Sequence, residues 1–341
     1  MFVSEDWVYI LVDRIASKIS SQWIRVMREE VVDGKKVANP AEGHPVQAQL
    51  EQPNEQQDYH SWMYNVVADD CLLGNCVIWG AKRTSNLICL PFDLTSIEQA
   101  SDGTIKSYMV SSGKDIGSKI VRFTPDEICH IRRPNPFSRV YGMSPFIPGH
   151  KVVAFNKYSQ EYLNNFYVKG AQPGIIITAD SHVNVDQAKR ILSTLESTIY
   201  GRQNQRKAVL LPQGLQAQEW SHTLADQQLI EYVRNNRETI INLLQIPKHE
   251  LSIAEAGSLG SEEYKIALKN FWNGPLRSIM RRIAGALTKF FANQLGPGLY
   301  LEFDLSDVDA LQEDADQKAQ LADKLLSTHT LNEVRSDRKS T

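Results

Sequence analysis

Residues 251–272 read LSIAEAGSLGSEEYKIALKNFW and join small, flexible residues to an apolar helical pattern. Glycines stand at 257 and 260 and serines at 258 and 261, and helical spacing then relates Tyr264, Leu268, Phe271 and Trp272. The pattern predicts a glycine–serine loop that opens a helix running from 262 to about 293. A proline at 275, inside Asn273-Gly274-Pro275, is expected to kink or restart that helix.

Two further helices precede this loop, and both carry an apolar stripe. They are predicted over 151–168 and 224–245, and Pro247 is expected to end the second. Between them, 171–222 predicts a compact insert of strand, helix and two strands. The strands are 174–178, 207–212 and 215–221, the last two turning at Gln213-Gly214, and the helix is 183–200.

The first 150 residues mix short elements. Their pattern predicts a helix over 6–20, a hairpin over 23–37 turning at Asp33-Gly34, and a helix over 58–73 that stops at Gly74-Asn75. Between the hairpin and the second helix, 39–57 is rich in Pro, Gln and Glu and is expected to be a linker. Short strands with turn signals fill 76–123, and an ordered, proline-rich loop is expected over 123–146.

After the long helix, the pattern predicts a strand over 298–305 and a polar helix over 307–326. Thr330 and Glu333 then make a capping box for a helix that the sequence barely begins. The end, RSDRKST, is therefore expected to be cut short.

Charge and apolar content limit the possible partners. The 341 residues include 37 basic and 40 acidic ones, a formal net charge of −3, which disfavours a protein that clamps nucleic acid. The balance suits a protein past which nucleic acid slides, because few phosphate contacts mean weak retention. No run of 18 apolar residues occurs, so no membrane span is expected.

The four cysteines predict no metal site. Cys71, Cys76, Cys89 and Cys129 form no C-x-x-C pair, and the eight histidines lack metal-ligand spacing. Four buried, reduced thiols are expected, as is usual in the cytoplasm.

Signals for catalysis are weak. Ser144 lies in GMSPF and not in G-x-S-x-G, so a turn serine is favoured over a nucleophile. GSLGSEE, 257–263, lacks the lysine and the preceding strand of a phosphate-binding loop. His130 stands between isoleucines, which favours a hydrogen-bonded core histidine.

Acidic residues also favour structural roles. Asp69 and Asp70 are adjacent on a helix and should face different ways. A second group is expected to be a solvated helix start rather than a metal site, and comprises Asp304, Asp307, Asp309, Glu313, Asp314 and Asp316. The sequence therefore predicts no catalytic residue, no metal and no cofactor.

Several phrases occur in an order that resembles one known family. They are HPVQAQLEQPN (44–54), LLGNCVIW (72–79), PDEICHIR (125–132), YGMSPF (141–146), NNFYVKGAQPGIII (164–177), YGRQNQRKAVLLPQGLQ (200–216) and HTLNEVR (329–335). Together they look like the portal, or head-to-tail connector, proteins of tailed bacteriophages, in the siphophage subgroup with the lambda-like capsid fold. The resemblance runs from about residue 5 to 335.

The resemblance implies an α+β portal fold without enzymatic activity. Its parts would be a wing (1–150), a stem helix (151–170), a clip (171–222), a second stem helix (223–246), a tunnel loop (247–262), a wing return helix and strand (263–306) and a crown (307–341). The clip would be a small α/β unit and the crown helical.

The same resemblance implies partners and a location. Twelve copies would form a ring at the capsid portal vertex of the virion, around a channel for double-stranded DNA during packaging and ejection. The large terminase, the head–tail adaptor and the major capsid and scaffolding proteins would bind it, with assembly in the host cytoplasm and no membrane partner.

Candidate site residues fall in two segments. In the tunnel loop, Lys248, His249, Ser258 and Ser261 would face DNA, with Gly257 and Gly260 as hinges. In the clip, partner contacts would come from Arg202, Gln203, Asn204 and Arg206. A surface loop without a ligand is the alternative for Lys248 and His249, which would then complement the dipole of the helix ending near Ile246.

Two other functions remain as alternatives. One is a metal-dependent DNA-processing hydrolase built on Asp304, Asp307 and Asp309. The other is a structural adaptor that forms no ring.

Overall fold

The structure is a computed structural model that describes residues 5–32, 35–80, 86–113, 118–168, 174–179, 186, 189, 190, 193, 215–220, 223–251 and 262–312. The chain divides into two compact units. Unit 1 contains Met1–Trp7 and Pro148–Ile240, and unit 2 contains Val8–Ile147 and Ile241–Thr341.

Helices and strands both contribute, which confirms the predicted α+β class. The α-helices are α1 (Asp6–Ser20), α2 (Pro45–Glu51), α3 (Tyr59–Leu73), α4 (His150–Val168), α5 (Thr223–Leu243), α6 (Glu262–Phe271), α7 (Arg277–Phe290) and α8 (Ala292–Leu295). The strands are β1 (Ile24–Val32), β2 (Lys35–Pro40), β3 (Asn75–Gly80), β4 (Leu87–Leu90), β5 (Thr95–Gln99), β6 (Ile105–Ser111), β7 (Ile120–Phe123), β8 (Ile128–Arg132), β9 (Gly174–Ala179), β10 (Leu215–Trp220) and β11 (Leu299–Phe303).

A three-stranded antiparallel sheet in unit 2 joins distant parts of the chain. Its order is β11-β1-β2, with Ile24 opposite Phe303 and Met27 opposite Tyr300. The predicted hairpin and the predicted strand near 298–305 are both confirmed, while the turn at 33–34 lies outside the described residues.

The segment 39–57 is not a linker throughout, because α2 lies within it. The side chain of His44 accepts a hydrogen bond from the Val46 N–H at 3.2 Å and so caps the helix. The Gln47 side chain bonds the backbone of β1 at Ile24 and Val26, and Leu50 is fully buried. These contacts outweigh the polar composition that favours a linker.

Two more three-stranded sheets, β4-β3-β8 and β5-β6-β7, confirm the predicted β-rich region. The prediction of a continuous loop over 123–146 was wrong in one part, because residues 128–132 form β8 beside β3. Five residues between prolines are too few for periodicity to mark a strand.

Helix α3 begins and ends where its sequence predicts. Asp58 caps it by accepting from the Ser61 N–H at 2.8 Å, and Gly74 ends it in the left-handed conformation at φ 67°.

Unit 1 contains α4, β9, β10 and α5 as far as Ile240 as described elements, whereas the last three residues of α5 belong to unit 2. Strand β9 pairs with β10 in antiparallel register. The predicted strands 174–178 and 215–221 are thereby confirmed, with each other as observed partners. Residues 186, 189, 190 and 193 of the predicted helix 183–200 are helical. The rest of that helix, the predicted strand 207–212 and its turn at 213–214 lie outside the described residues.

The long helix after the loop continues past Pro275 without a break. Residues Trp272–Leu276 form a π-helical turn between α6 and α7. The Arg277 N–H reaches the carbonyl of Trp272, five residues back, as in a π-helix. The predicted disturbance is present, but it is a widened turn that accommodates the proline within one helix.

Of the predicted 307–341 region, residues 309–312 are helical, and the segment from 313 onward lies outside the described residues. In the described part of the chain, no helix combines the length and apolar character required to cross a bilayer.

Candidate channel loop and its supports

The structure describes two of the predicted tunnel-loop residues. Lys248 and His249 begin a 3-10 turn, Lys248–Leu251, where Lys248 is exposed and His249 half-buried. The other predicted site residues lie outside the described residues: Gly257, Ser258, Gly260 and Ser261 in the loop, and Arg202, Gln203, Asn204 and Arg206 in the predicted clip.

A tight reversal carries the chain from α5 into this 3-10 turn. Helix α5 ends at Leu243, as the nearby proline predicts, and Gln245 adopts a left-handed conformation at φ 55°. The Glu250 N–H then bonds the Pro247 carbonyl at 3.0 Å. The chain thus enters the segment 252–261 from an ordered support, which we call the entry foot (residues 244–251).

Glu250 fixes the entry foot to α1. Only 7% of Glu250 is exposed, and its carboxylate lies 3.0 Å from Lys18 Nζ and 3.9 Å from Arg14 Nε. Arg14 also donates to the Glu250 carbonyl oxygen at 2.7 Å. A buried carboxylate is stable only when it is paired in this way. Glu250 was not among the predicted site residues. Arg14 and Lys18, four residues apart on one face of α1, indicate that an acidic partner lies nearby, but the sequence does not say which one.

The exit foot, which we define as residues 262–272, contacts the same surroundings. The rings of His249 and Tyr264 meet edge to face with centroids 5.9 Å apart. Lys18 Nζ lies 5.6 Å from the Trp272 ring centroid, a cation–π contact. Lys18 therefore contacts both feet, and His249 and Tyr264 join the feet to each other.

A buried charge cluster lies deeper in unit 2. Asp70 on α3 is fully buried and binds Arg282 of α7 at 2.7 and 3.0 Å. Arg133, in the loop after β8, binds the same carboxylate at 3.0 Å and the Asp70 carbonyl at 2.9 Å. These bonds join α3, α7 and the loop after β8 (residues 133–149), which we call the crossing loop.

Asp69 has different surroundings from its neighbour, as the helical spacing predicts. Burial, with a smaller contribution from the nearby Asp93 carboxylate, raises the pKa of Asp69 to about 7. The two carboxylates therefore do not form a catalytic pair.

Three of the sequence phrases that resemble the family, 72–79, 125–132 and 141–146, meet at one place in unit 2. The Asn75 side-chain oxygen accepts from the Gly142 N–H at 2.7 Å and lies 3.2 Å from His130 Nε2. His130 Nδ1 lies 3.2 Å from the Tyr108 hydroxyl. Burial lowers the pKa of His130 to about 3, so the ring is neutral, donating to Asn75 and accepting from Tyr108. The hydrogen-bonded, structural role predicted for His130 is confirmed, although the residue is half-buried and not fully buried.

Ser144 belongs to the same junction and is a turn residue. Its hydroxyl donates to the Leu72 carbonyl at 2.6 Å and accepts from the Phe146 N–H at 3.1 Å. Both bonds go to the backbone, so Ser144 locks the loop 141–146 against the end of α3.

Glycines allow the two chain segments of this junction to touch. A side chain at Gly142 would collide with the Gly74 carbonyl oxygen, and one at Gly74 would collide with the backbone of Met143. Gly74 also has φ 67°. The close contact between the segments LLGN and YGMS therefore requires glycine at both positions.

The acidic group near residue 304 has ordinary structural partners where it is described. Asp304 accepts from the Ser306 hydroxyl at 2.6 Å and lies 3.5 Å from Arg25 Nε. Asp307 and Asp309 are exposed. Within the described residues, no group of three histidine, cysteine or acidic side chains could hold a metal ion. Cys71, Cys76 and Cys129 are buried free thiols, whereas Cys89 is half-buried and not fully buried as predicted.

Known structures with the same fold come from particle necks and portals. The neck of an empty gene transfer agent particle matches with a TM-score of 0.67 and 21% identity, over 93% of this chain and 85% of that one. A portal protein of the HK97 phage family from Corynebacterium diphtheriae matches with a TM-score of 0.62 and 15% identity, over 89% and 93% of the two chains. The fold class is therefore the portal fold.

Sequence comparison gives the family. An uncharacterized protein of Rickettsia bellii (strain RML369-C) is 24% identical, over 96% of this chain and 85% of its own length. The family model described as phage portal protein matches residues 6–337. The chain belongs to the phage portal protein family, a family of structural proteins and not of enzymes.

Proposed function

We propose that this portal protein forms a twelve-membered ring at one capsid vertex and that double-stranded DNA passes through its centre during packaging and ejection. Family membership over residues 6–337 supports the ring and the vertex. The neck of a native gene transfer agent particle, which has the same fold at a TM-score of 0.66, was described with C12 symmetry, and this supports twelve copies.

We assign the parts of the chain as the family resemblance suggests. Residues 1–150 and 263–306 form the wing, 151–170 and 223–246 the stem, 171–222 the clip and 307–341 the crown. The helices α4 and α5 and the β9–β10 pair are the described elements that agree with a stem and a clip.

The tunnel loop is residues 247–262, and the anchored feet are the observation that carries this assignment. Glu250 and Trp272 bind Lys18 and so hold both feet against α1, and the His249–Tyr264 contact joins the feet to each other. A segment held at both ends can project toward moving DNA without detaching from the subunit. Lys248 is exposed at the base of the loop and supplies a cation there.

Weak contact suits the proposed task. Ser258 and Ser261 offer neutral hydrogen bonds to phosphate, and acidic residues at 255, 262 and 263 oppose tight binding. DNA that must move in both directions is better served by such a lining than by a basic cage.

External partners are assigned to the clip and the ring surface. We propose that Arg202, Gln203, Asn204 and Arg206 contact the large terminase during packaging and the head–tail adaptor afterwards. The major capsid and scaffolding proteins bind the ring during assembly, which takes place in the host cytoplasm.

A shortened loop tests the channel assignment. Removal of residues 254–260 is expected to leave the number of subunits in the ring and the melting temperature unchanged, because the feet lie outside the deletion. Packaged DNA per particle, measured by quantitative PCR after nuclease treatment, is expected to fall, and Lys248→Ala is expected to have a smaller effect in the same direction. Wild-type packaging by both variants would refute the loop assignment. Absence of a ring in the wild-type protein would instead refute the portal function itself.

A further inference from the structure

A polar cavity of about 330 Å³ lies beside the entry foot in unit 2. It is bordered by the end of α5 and the reversal after it (243–245), by the π-helical turn at Gly274 and Pro275, and by the first turns of α7. Since a water molecule occupies about 30 Å³ in the liquid, the space admits a tetrahedral oxyanion with several waters.

Arg133 and Arg282 line this cavity, and the Asp70 carboxylate forms an ion pair with both of them. Arg133 and Arg282 each bind Asp70, which leaves the three charged groups with a net charge of +1. No acidic residue of the described chain lines the cavity. Removing a charge from water is costly unless an opposite charge compensates it, so the site favours an anion.

The same arginines retain hydrogen-bond donors. In the described structure, Arg133 and Arg282 both reach Asp70 through Nε and Nη2. Neither Nη1 has a hydrogen bond to a described residue, so each arginine keeps donors for a ligand in the cavity. Planar guanidinium groups suit the oxygens of phosphate, which accept several such bonds together.

We propose that this cavity binds a phosphate group through Arg133 and Arg282. The ligand is a tetrahedral oxyanion, either inorganic phosphate or a phosphodiester of DNA. A bound phosphate would contact the chain both before and after the segment 252–261 and would thereby join the start of the entry foot to the π-helical turn and α7. This binding does not depend on the proposed channel function.

The test compares two substitutions at Ser278, which is exposed on α7 and outside the Asp70 cluster. Ser278→Glu places a carboxylate in the cavity, four residues before Arg282, where it replaces the phosphate charge. Ser278→Gln has nearly the same size without the charge. Melting temperatures of the intact protein are measured in sodium phosphate and in sodium chloride at equal ionic strength, and separately with a short DNA duplex.

The wild type and Ser278→Gln are expected to melt several degrees higher in phosphate than in chloride, because a ligand that binds only the folded state stabilises it. Ser278→Glu is expected to show a clearly smaller difference between the two salts, equal to the general stabilising effect of phosphate on folded proteins. A shift caused by the duplex alone, and lost in Ser278→Glu, would identify the source as DNA and support the site. No shift in the wild type with either ligand, or an equal shift in Ser278→Glu, would overturn the proposal.

Discussion

Gly142 is the residue whose replacement has the most direct steric consequence. Gly142→Ala is expected to destabilise unit 2 by about 2–4 kcal/mol, because the new methyl group would force the loop 141–146 away from the Gly74 carbonyl. Urea denaturation followed by circular dichroism measures this loss.

Gly285→Ala is the matched control for this substitution. Gly285 lies within α7, and a Cβ there meets no atom within 4 Å. The control is expected to be neutral or more stable by up to about 1 kcal/mol, since alanine favours a helix over glycine. Equal losses for both variants would contradict the proposed close approach at Gly142.

Asp69 predicts a pH dependence. Its pKa rises from 3.8 in an open chain to about 7 in the fold, so the folded state retains the proton more strongly. The resulting stability is complete below pH 3.8 and is lost as the pH rises to about 7. Asp69→Asn is therefore expected to raise the melting temperature at pH 8 by several degrees relative to its effect at pH 4.

His130 acts in the opposite direction but is present in both proteins. Its lowered pKa removes stability as the pH falls from 6.5 toward 3, equally in the wild type and in Asp69→Asn. The difference between the two melting curves thus isolates Asp69. A difference that does not change between pH 4 and pH 8 would argue against a raised pKa of Asp69 in the folded state.

Single residues were predictable where their immediate neighbours determine them. The structural role of His130 follows from the isoleucines near it, and the helix-ending role of Gly74 follows from the end of a helical pattern. The partners of Asp70 do not follow, because Arg133 and Arg282 lie 63 and 212 positions away. Only the fold brings the three together.

At the scale of elements, the ion pairs of Glu250 with Lys18 and Arg14 anchor the entry foot to α1, and one substitution can weaken them without altering either element. Glu250→Gln retains the size of the side chain and removes its charge, leaving Lys18 without its ion pair. The expected cost is about 1–3 kcal/mol of stability, with reduced DNA packaging by rings that still assemble. Chemical denaturation and packaged DNA per particle measure the two effects.

Glu161→Gln provides the comparison. Glu161 lies 4.0 Å from Lys157 in an exposed pair on α4, and such pairs contribute less than about 0.5 kcal/mol. This variant is expected to match the wild type in both measurements. If Glu250→Gln also matched the wild type, the buried pair would not be an anchor.

Most long elements were predictable, and the exceptions have physical causes. Amphipathic spacing located α1, α4 and α5 to within about two residues. Helix α2 escaped because its stability comes from the His44 cap and the Gln47 contacts with β1, which composition does not record. The π-helical turn escaped for another reason: a proline predicts a disturbance but not the form that the surrounding helix gives it.

For the whole molecule, the ring is the first property to measure. The purified 38.6 kDa chain is expected to elute as a closed assembly of roughly 460 kDa, and light scattering gives that mass directly. Electron micrographs should show a central opening. A mass of one or two chains at micromolar concentration, with no rings in the micrographs, would favour the adaptor alternative.

The cavity proposed to bind phosphate could not be predicted from the sequence. Its walls come from α5, the crossing loop and α7, and no local pattern relates them. The family, in contrast, was accessible from the order of short phrases. The structure gives a reason for three of them, since they meet at Asn75, His130 and Gly142.

The central position of β1 in its sheet has a consequence for synthesis. Its neighbour β11 leaves the ribosome only after about 270 further residues, so a nascent chain holds one side of β1 without its partner until Leu299–Phe303 has been made. A prematurely terminated polypeptide that ends before Leu299 would keep that side open. Such fragments should be captured by chaperones or degraded, and only full-length subunits would then join a particle.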